Sequence, residues 1–131
     1  MAAYCFAFFI MLGMFGACWA GCVREEMFFT DIVIKCSGED VTSIPSNLDT
    51  NLQRLLVENT GIQEIDETTL APYTNLRSVL ITRNSHLAKL SGHIFSKNFL
   101  LSDIKITHNS QLSQIHPSTF DGVFKRGFRV L

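Results

Sequence analysis

The sequence predicts an α/β-type solenoid, a curved stack of coils with short parallel β-strands on the concave face and loops or short helical turns on the convex face. Two observations carry this expectation: a repeat with a period near 25 residues, and an alternation of apolar and polar positions inside each copy. Compared with itself at an offset of 25, the chain matches Leu76 with Leu101, Val79 with Ile104, Ile81 with Ile106 and Asn84 with Asn109. The match continues through Ser85 with Ser110, Leu87 with Leu112, Leu90 with Ile115 and Phe95 with Phe120. A fixed period of this size means coils stacked in one dimension. An earlier copy at offset 24 runs through Leu52, Leu55, Val57, Thr60, Ile62, Ile65 and Leu70.

Written out, the copies are LQRLLVENTGIQEI, LRSVLITRNSHLAKL and LSDIKITHNSQLSQI. This is the leucine-rich repeat pattern, L-x-x-L-x-L-x-x-N-x-L, with one residue inserted before the last Leu in the second and third copies. The middle of the pattern alternates with period two, as a short strand with one buried face does. The Asn slot turns the chain, and its side-chain amide is suited to bond backbone groups that the turn leaves unpaired. Thr60 fills that slot in the first copy and supplies only part of this chemistry. Leu70, Phe95 and Phe120 close the core from the convex side. The repeats are expected at 52–75, 76–100 and 101–127, with an incomplete copy at 128–131 in which Phe128 and Leu131 take the first two slots. A single coil of this kind buries too little to stand alone, so stacking and end caps must stabilise it.

The segment before the repeats divides in two. Every Asp, Glu, Lys and Arg lies at or after Arg24, and residues Tyr4 to Phe15 form one apolar run. Such a run is the length of a secretory signal core and too short to span a membrane. Cleavage is expected after Ala20, so residues 1–20 are assigned to a signal peptide; an uncleaved anchor is the alternative. Export leaves Cys22 and Cys36 as the remaining cysteine pair. In an oxidising compartment these bridge, closing a loop worth roughly 3 kcal/mol; two buried free thiols are the other reading. They lack the count and spacing of a metal site, and neither metal nor cofactor is expected.

Residues 21–51 form the expected N-terminal cap. The stretch IVIKCSGEDVTSIPSNLDTNL puts a β-rich run before Cys36, then Val41, Ile44, Pro45 and Leu48 at the inward slots of a half repeat. This resembles the cysteine-containing N-terminal cap of extracellular leucine-rich repeat proteins, in which C-x4-L-x-x-I-P-x-x-L leads into the first repeat. That family usually carries four cap cysteines, and this chain carries two. The inserted residue in Asn84-Ser85-His86-Leu87 and Asn109-Ser110-Gln111-Leu112, with the variant Asn59-Thr60-Gly61-Ile62, is similar to the irregular repeats of glycoprotein hormone receptor ectodomains. The second resemblance implies an N-terminal fragment of a receptor ectodomain that binds a protein hormone on its concave sheet and signals through a membrane domain of the longer protein.

On a sheet of this kind the residues between the buried slots form columns on the concave face. The central column reads Leu56, Leu80, Lys105, flanked by Arg54, Ser78, Asp103 and by Glu58, Thr82, Thr107, with Asn59, Arg83 and His108 at the edge. Two exposed leucines with a polar rim resemble an interface centre, and a plain solvated sheet is the alternative. The expected partner is an extracellular protein ligand or co-receptor, bound outside the cell or at its surface. Residues 24–67 hold 10 acidic and 3 basic side chains and residues 77–129 hold 2 and 8, or −7 and +6. A solenoid keeps that asymmetry in space, which favours steering of charged partners or head-to-tail self-association.

Other functions lack support. A net charge of −1 argues against nucleic acid. His86, His93, His108 and His116 occupy different repeat slots, and no nucleophile elbow, phosphate loop or carboxylate pair occurs, so no enzyme is expected. Asp31, Asp66 and Glu67 are assigned to exposed loops, and Lys125-Arg126 to an exposed loop or a dibasic processing site.

Overall fold

The computed structural model describes residues 21–25, 31–121, 123 and, as backbone, 129–130. The signal segment, Lys125-Arg126, Phe128 and Leu131 lie outside the described residues. Among those described there are nine strands: β1 (Cys22–Glu25), β2 (Val33–Gly38), β3 (Arg54–Thr60), β4 (Glu64–Ile65), β5 (Ser78–Thr82), β6 (Lys89–Leu90), β7 (Asp103–Thr107), β8 (Gln114–Ile115) and β9 (Arg129–Val130). They build a leucine-rich repeat arc whose convex side consists of turns, with no helical turn among the described residues.

Each copy of the repeat becomes one rung. β3, β5 and β7 pair parallel and in register, so that Leu55, Val79 and Ile104 line one buried row and Val57, Ile81 and Ile106 the next. All are buried except Ile106, which is half-buried. With β1, β2 and β9 they form a six-stranded sheet in the order β1-β2-β3-β5-β7-β9. β9 pairs Val130 with Ile104, so the ladder is one residue short of the expected Phe128 and Leu131 placement; the backbone register follows a 26-residue offset there. The return legs add a small parallel sheet, β4-β6-β8, that the repeat pattern did not announce. Its buried row, Ile65 and Leu90, continues into Ile115, which is 50% exposed because β8 has a neighbouring strand on one side only among the described residues.

In front of the first repeat the chain adds two strands, β1 and β2. β1 runs antiparallel to β2, placing Cys22 directly opposite Cys36, and the two form a disulfide. Val41, Ile44 and Leu48 are buried inward slots. The cap meets the first repeat at Gly61, whose N–H donates to the Val41 carbonyl at 2.9 Å. A Cβ on Gly61 would lie 2.2 Å from the Glu39 carbonyl oxygen. That close approach explains why the first repeat carries Gly and no inserted residue where its successors carry Ser85-His86 and Ser110-Gln111.

The turn out of the sheet rests on side-chain amides. Asn59, Arg83 and His108 adopt left-handed φ values of 54°, 55° and 55°, which L-residues take only at a cost of about 1–2 kcal/mol. The next residue in each coil offsets it. Asn84, fully buried, accepts at Oδ1 from the Thr60 N–H at 3.1 Å and from the Thr60 hydroxyl at 2.7 Å. Its Nδ2 donates to the Val57 carbonyl at 3.0 Å and to Asn109 Oδ1 at 3.1 Å. Asn109 repeats the arrangement one coil on, accepting from the Asn84 N–H and donating to the Ile81 carbonyl, both at 3.0 Å.

On the convex side one turn recurs: N–H of Tyr73, Asn98 and Val123 donates to the carbonyls of Leu70, Phe95 and Phe120. Phe95 and Phe120 stack with centroids 6.0 Å apart. Tyr73, fully buried, accepts from the Leu48 N–H at 3.2 Å and donates its hydroxyl to the Pro45 carbonyl, tying the cap to the first repeat. Asn98, one coil later, donates to the Leu70 and Tyr73 carbonyls at 3.0 and 2.8 Å.

Two outcomes follow for stability. Asn84→Ala leaves Val57 and Thr60 backbone groups without partners and is expected to cost about 2–5 kcal/mol in chemical denaturation, against under ~0.5 kcal/mol for Ser85→Ala. Burial pushes the Tyr73 hydroxyl above its ordinary value of 10.0. The fold therefore favours the neutral phenol, and its contribution is present below pH 10 and lost as the unfolded chain ionises above it. Tyr73→Phe is expected to be less stable by about 1–3 kcal/mol at neutral pH, with a shallower decline in alkali than the parent. Denaturation curves at several pH values check both.

Candidate concave interface

The parallel register turns the sequence columns into real rows. Lys35, Leu56, Leu80 and Lys105 are consecutive partners across β2, β3, β5 and β7. Arg54, Ser78 and Asp103 form the row on one side, and Glu58, Thr82 and Thr107 the row on the other. Side chains two apart on a strand share a face, so these rows lie together opposite the buried Leu slots.

Burial changes the expected picture. Leu56 and Leu80 are half-buried instead of exposed, because the side chains on the neighbouring rungs of a continuous sheet cover part of them. Thr82 is only 7% exposed and shares a hydrogen bond of 3.0 Å with Thr107, so it offers little to a partner. Ser78 donates to Asp103 at 3.4 Å. Arg54, Arg83, Asp103, Lys105 and His108 are exposed.

Charge is unevenly used across the face. Lys35, which the repeat alignment missed because it sits in the cap strand, contacts Glu58 at 2.6 Å. Its hydrogen bond to Glu58, then the Glu58 charge, hold the lysine above its ordinary value of 10.5. That contribution is present below pH 10.5 and lost as pH rises through the raised value. Arg54 pairs with Asp31 at 3.3 Å, so Asp31 is a loop carboxylate that is half-buried and paired. Asp66 pins its own turn. It accepts from the Thr68 hydroxyl and N–H and from the Thr69 hydroxyl, which lowers its carboxyl below 3.8. Arg83 and Lys105 have no ion-pair partner among the described residues, and His108 is exposed beside them at the edge. The N-terminal half of the face is thus internally neutralised, and the C-terminal half presents open cations.

No cluster of three His, Cys, Asp or Glu side chains suited to a metal occurs among the described residues. No helix among them is long and apolar enough to cross a membrane.

No family model matches the chain. A stretch of 67 residues, 51% of the chain, is 39% identical to the transforming growth factor beta activator LRRC33 of Danio rerio. The match spans 9% of that protein. Repeat pattern, disulfide-tied cap, parallel arc and this relative together support a leucine-rich repeat protein.

Proposed function

We propose that the chain is an extracellular protein-binding module, delivered through the apolar segment 1–20 as a signal peptide, that engages a protein ligand or co-receptor with its concave sheet. It acts by binding and not by catalysis. The observation that carries this reading is the in-register face in which Leu56 and Leu80 stand between Lys35 and Lys105, with open cations at Arg83 and Lys105. An apolar centre with a polar rim is the anatomy of a protein interface. The cap, a disulfide-bearing half coil, suits an oxidising compartment. The relative's name describes activation of transforming growth factor beta, which makes a growth factor of that kind a first candidate ligand; that activity belongs to a protein of which the chain matches 9%.

A second reading, a receptor ectodomain fragment that binds a protein hormone and signals through a membrane domain, draws on the inserted residue at Ser85-His86 and Ser110-Gln111. Each insertion lies in a tight turn, Leu87 N–H to the Asn84 carbonyl and Leu112 N–H to the Asn109 carbonyl. A membrane-spanning segment in the full transcript separates this reading from the first.

Leu56→Asp with Leu80→Asp tests the concave face. The double variant places each carboxylate beside a lysine of the same row and is expected to retain the folded spectrum by circular dichroism. Screened against a panel of secreted proteins that includes transforming growth factor beta, it should lose the parent's ligands by on the order of 100-fold or more. Undiminished binding by the folded double variant would reject the concave face.

A further inference from the structure

A second surface lies off the concave face, where the convex turns re-enter the sheet. Asn51, Asn75 and Leu100 hold the position before the first buried leucine of successive coils, and Gln53 and Arg77 the position after it. Together with Ile32 they line an open groove of about 270 Å³. A groove of that size is smaller than a typical cofactor site and suited to one or two side chains.

The polar atoms here are unequally occupied. The backbone is satisfied: the Gln53 carbonyl accepts from Arg77 and Ser78 N–H at 2.7 and 3.1 Å, and the Arg77 carbonyl from Ser102 and Asp103 N–H at 2.9 and 3.2 Å. Gln53 Oε1 accepts from the Ile32 N–H at 3.2 Å, which leaves the Gln53 amide nitrogen as its open end. Asn75 Nδ2 donates to Asn51 Oδ1 at 3.3 Å, leaving the Asn51 amide nitrogen and the Asn75 amide oxygen open. The exposed Arg77 guanidinium has no ion-pair partner among the described residues. Two carboxylates of this region are already committed, Asp31 to Arg54 at 3.3 Å and Asp49 to the Asn51 N–H at 2.9 Å. The groups with no bond of their own are therefore two amide nitrogens, each with two donors, and a planar five-donor cation, against one amide oxygen. Leu100 of the groove lining is 50% exposed, and Phe99, which precedes it in the chain, is 56% exposed.

We propose that this groove binds an extended segment of a protein partner in which an Asp or Glu carboxylate adjoins an apolar side chain. The carboxylate sits on the Arg77 fork, the geometry that favours bidentate pairing, with the Gln53 and Asn51 amides as further donors. The apolar neighbour covers Leu100 and Phe99. This surface is separate from the concave rows, and its failure leaves the concave reading untouched.

The test uses the secreted chain labelled with nitrogen-15 and an acetylated, amidated Leu-Asp-Leu peptide as probe. Titration should shift the side-chain N–H signals of Gln53, Asn51 and Arg77, with a Kd on the order of 1 mM as suits a single charged anchor. Leu-Asn-Leu, which lacks the charge, should leave those signals in place, and acetate should bind at least several-fold more weakly because it lacks the apolar arm. Arg77→Gln should abolish the shifts, and Leu100→Ser should weaken the peptide toward acetate. Equal binding of Leu-Asn-Leu, an unaffected Arg77→Gln variant, or no shift at about 10 mM peptide would overturn the carboxylate assignment. Equal binding of acetate would overturn the peptide as occupant.

Discussion

Where the coils turn out of a parallel sheet, backbone groups near the turn need partners from outside the strand ladder. Here the amides of Asn84 and Asn109 reach back one coil to the Val57 and Ile81 carbonyls. The same amides accept N–H groups from Thr60 and Asn84. Each asparagine thus satisfies its predecessor's turn, so no coil is complete without the next. Buried polar backbone left unpaired is expensive, which gives this ladder more weight than its few bonds suggest. It also sustains the left-handed residues Asn59, Arg83 and His108, whose conformation would otherwise be strained.

Much of this is legible in the sequence. The offset of 25 aligns the ladder, the buried rows and the Phe95–Phe120 stack, because a period in sequence becomes a row in space when coils stack in register. The Gly61 exception is visible as a missing residue, but its cause is not: the Glu39 carbonyl that excludes a Cβ belongs to the cap, which has no copy to align with. The same lack hides β1 and the place of Lys35 opposite Leu56. Burial on the concave face escapes the sequence for another reason. Leu56, Leu80 and Thr82 are covered by neighbouring rungs, and the degree of cover depends on how closely the rungs stack. The groove at Arg77 is hidden because its residues fall between the apolar slots of the pattern and one of them, Ile32, precedes the repeats.

The charge asymmetry between the two ends of the chain takes a specific form in the structure. At the acidic end, carboxylates are occupied within the fold: Glu58 with Lys35, Asp31 with Arg54, and Glu64 with Lys89 one coil away. Exposed pairs of this kind stabilise little, about 0–1 kcal/mol each, but they remove charge from the surface. The cations of later coils, Arg77, Arg83 and Lys105, have no such partners among the described residues. Each pair removes one charge of either sign, so the net charge of −1 is unchanged, and what differs is where the open charges lie: cations without an ion pair stand on the later coils of the concave face. Specificity and association rate respond to this open charge more than to the total.

Hydrogen exchange at two backbone amides tests the asparagine ladder most directly. The Thr60 and Asn84 N–H groups have side-chain oxygens as their acceptors, at 3.1 and 3.0 Å, Thr60 at the last position of β3 and Asn84 beyond the end of β5. If the amide ladder holds the coils together, both should open only with the whole arc and show protection like that of the core strand amides at Leu55 and Val79. Exchange as fast as that of an exposed loop amide, while the strands stay protected, would show that the coils stack without it.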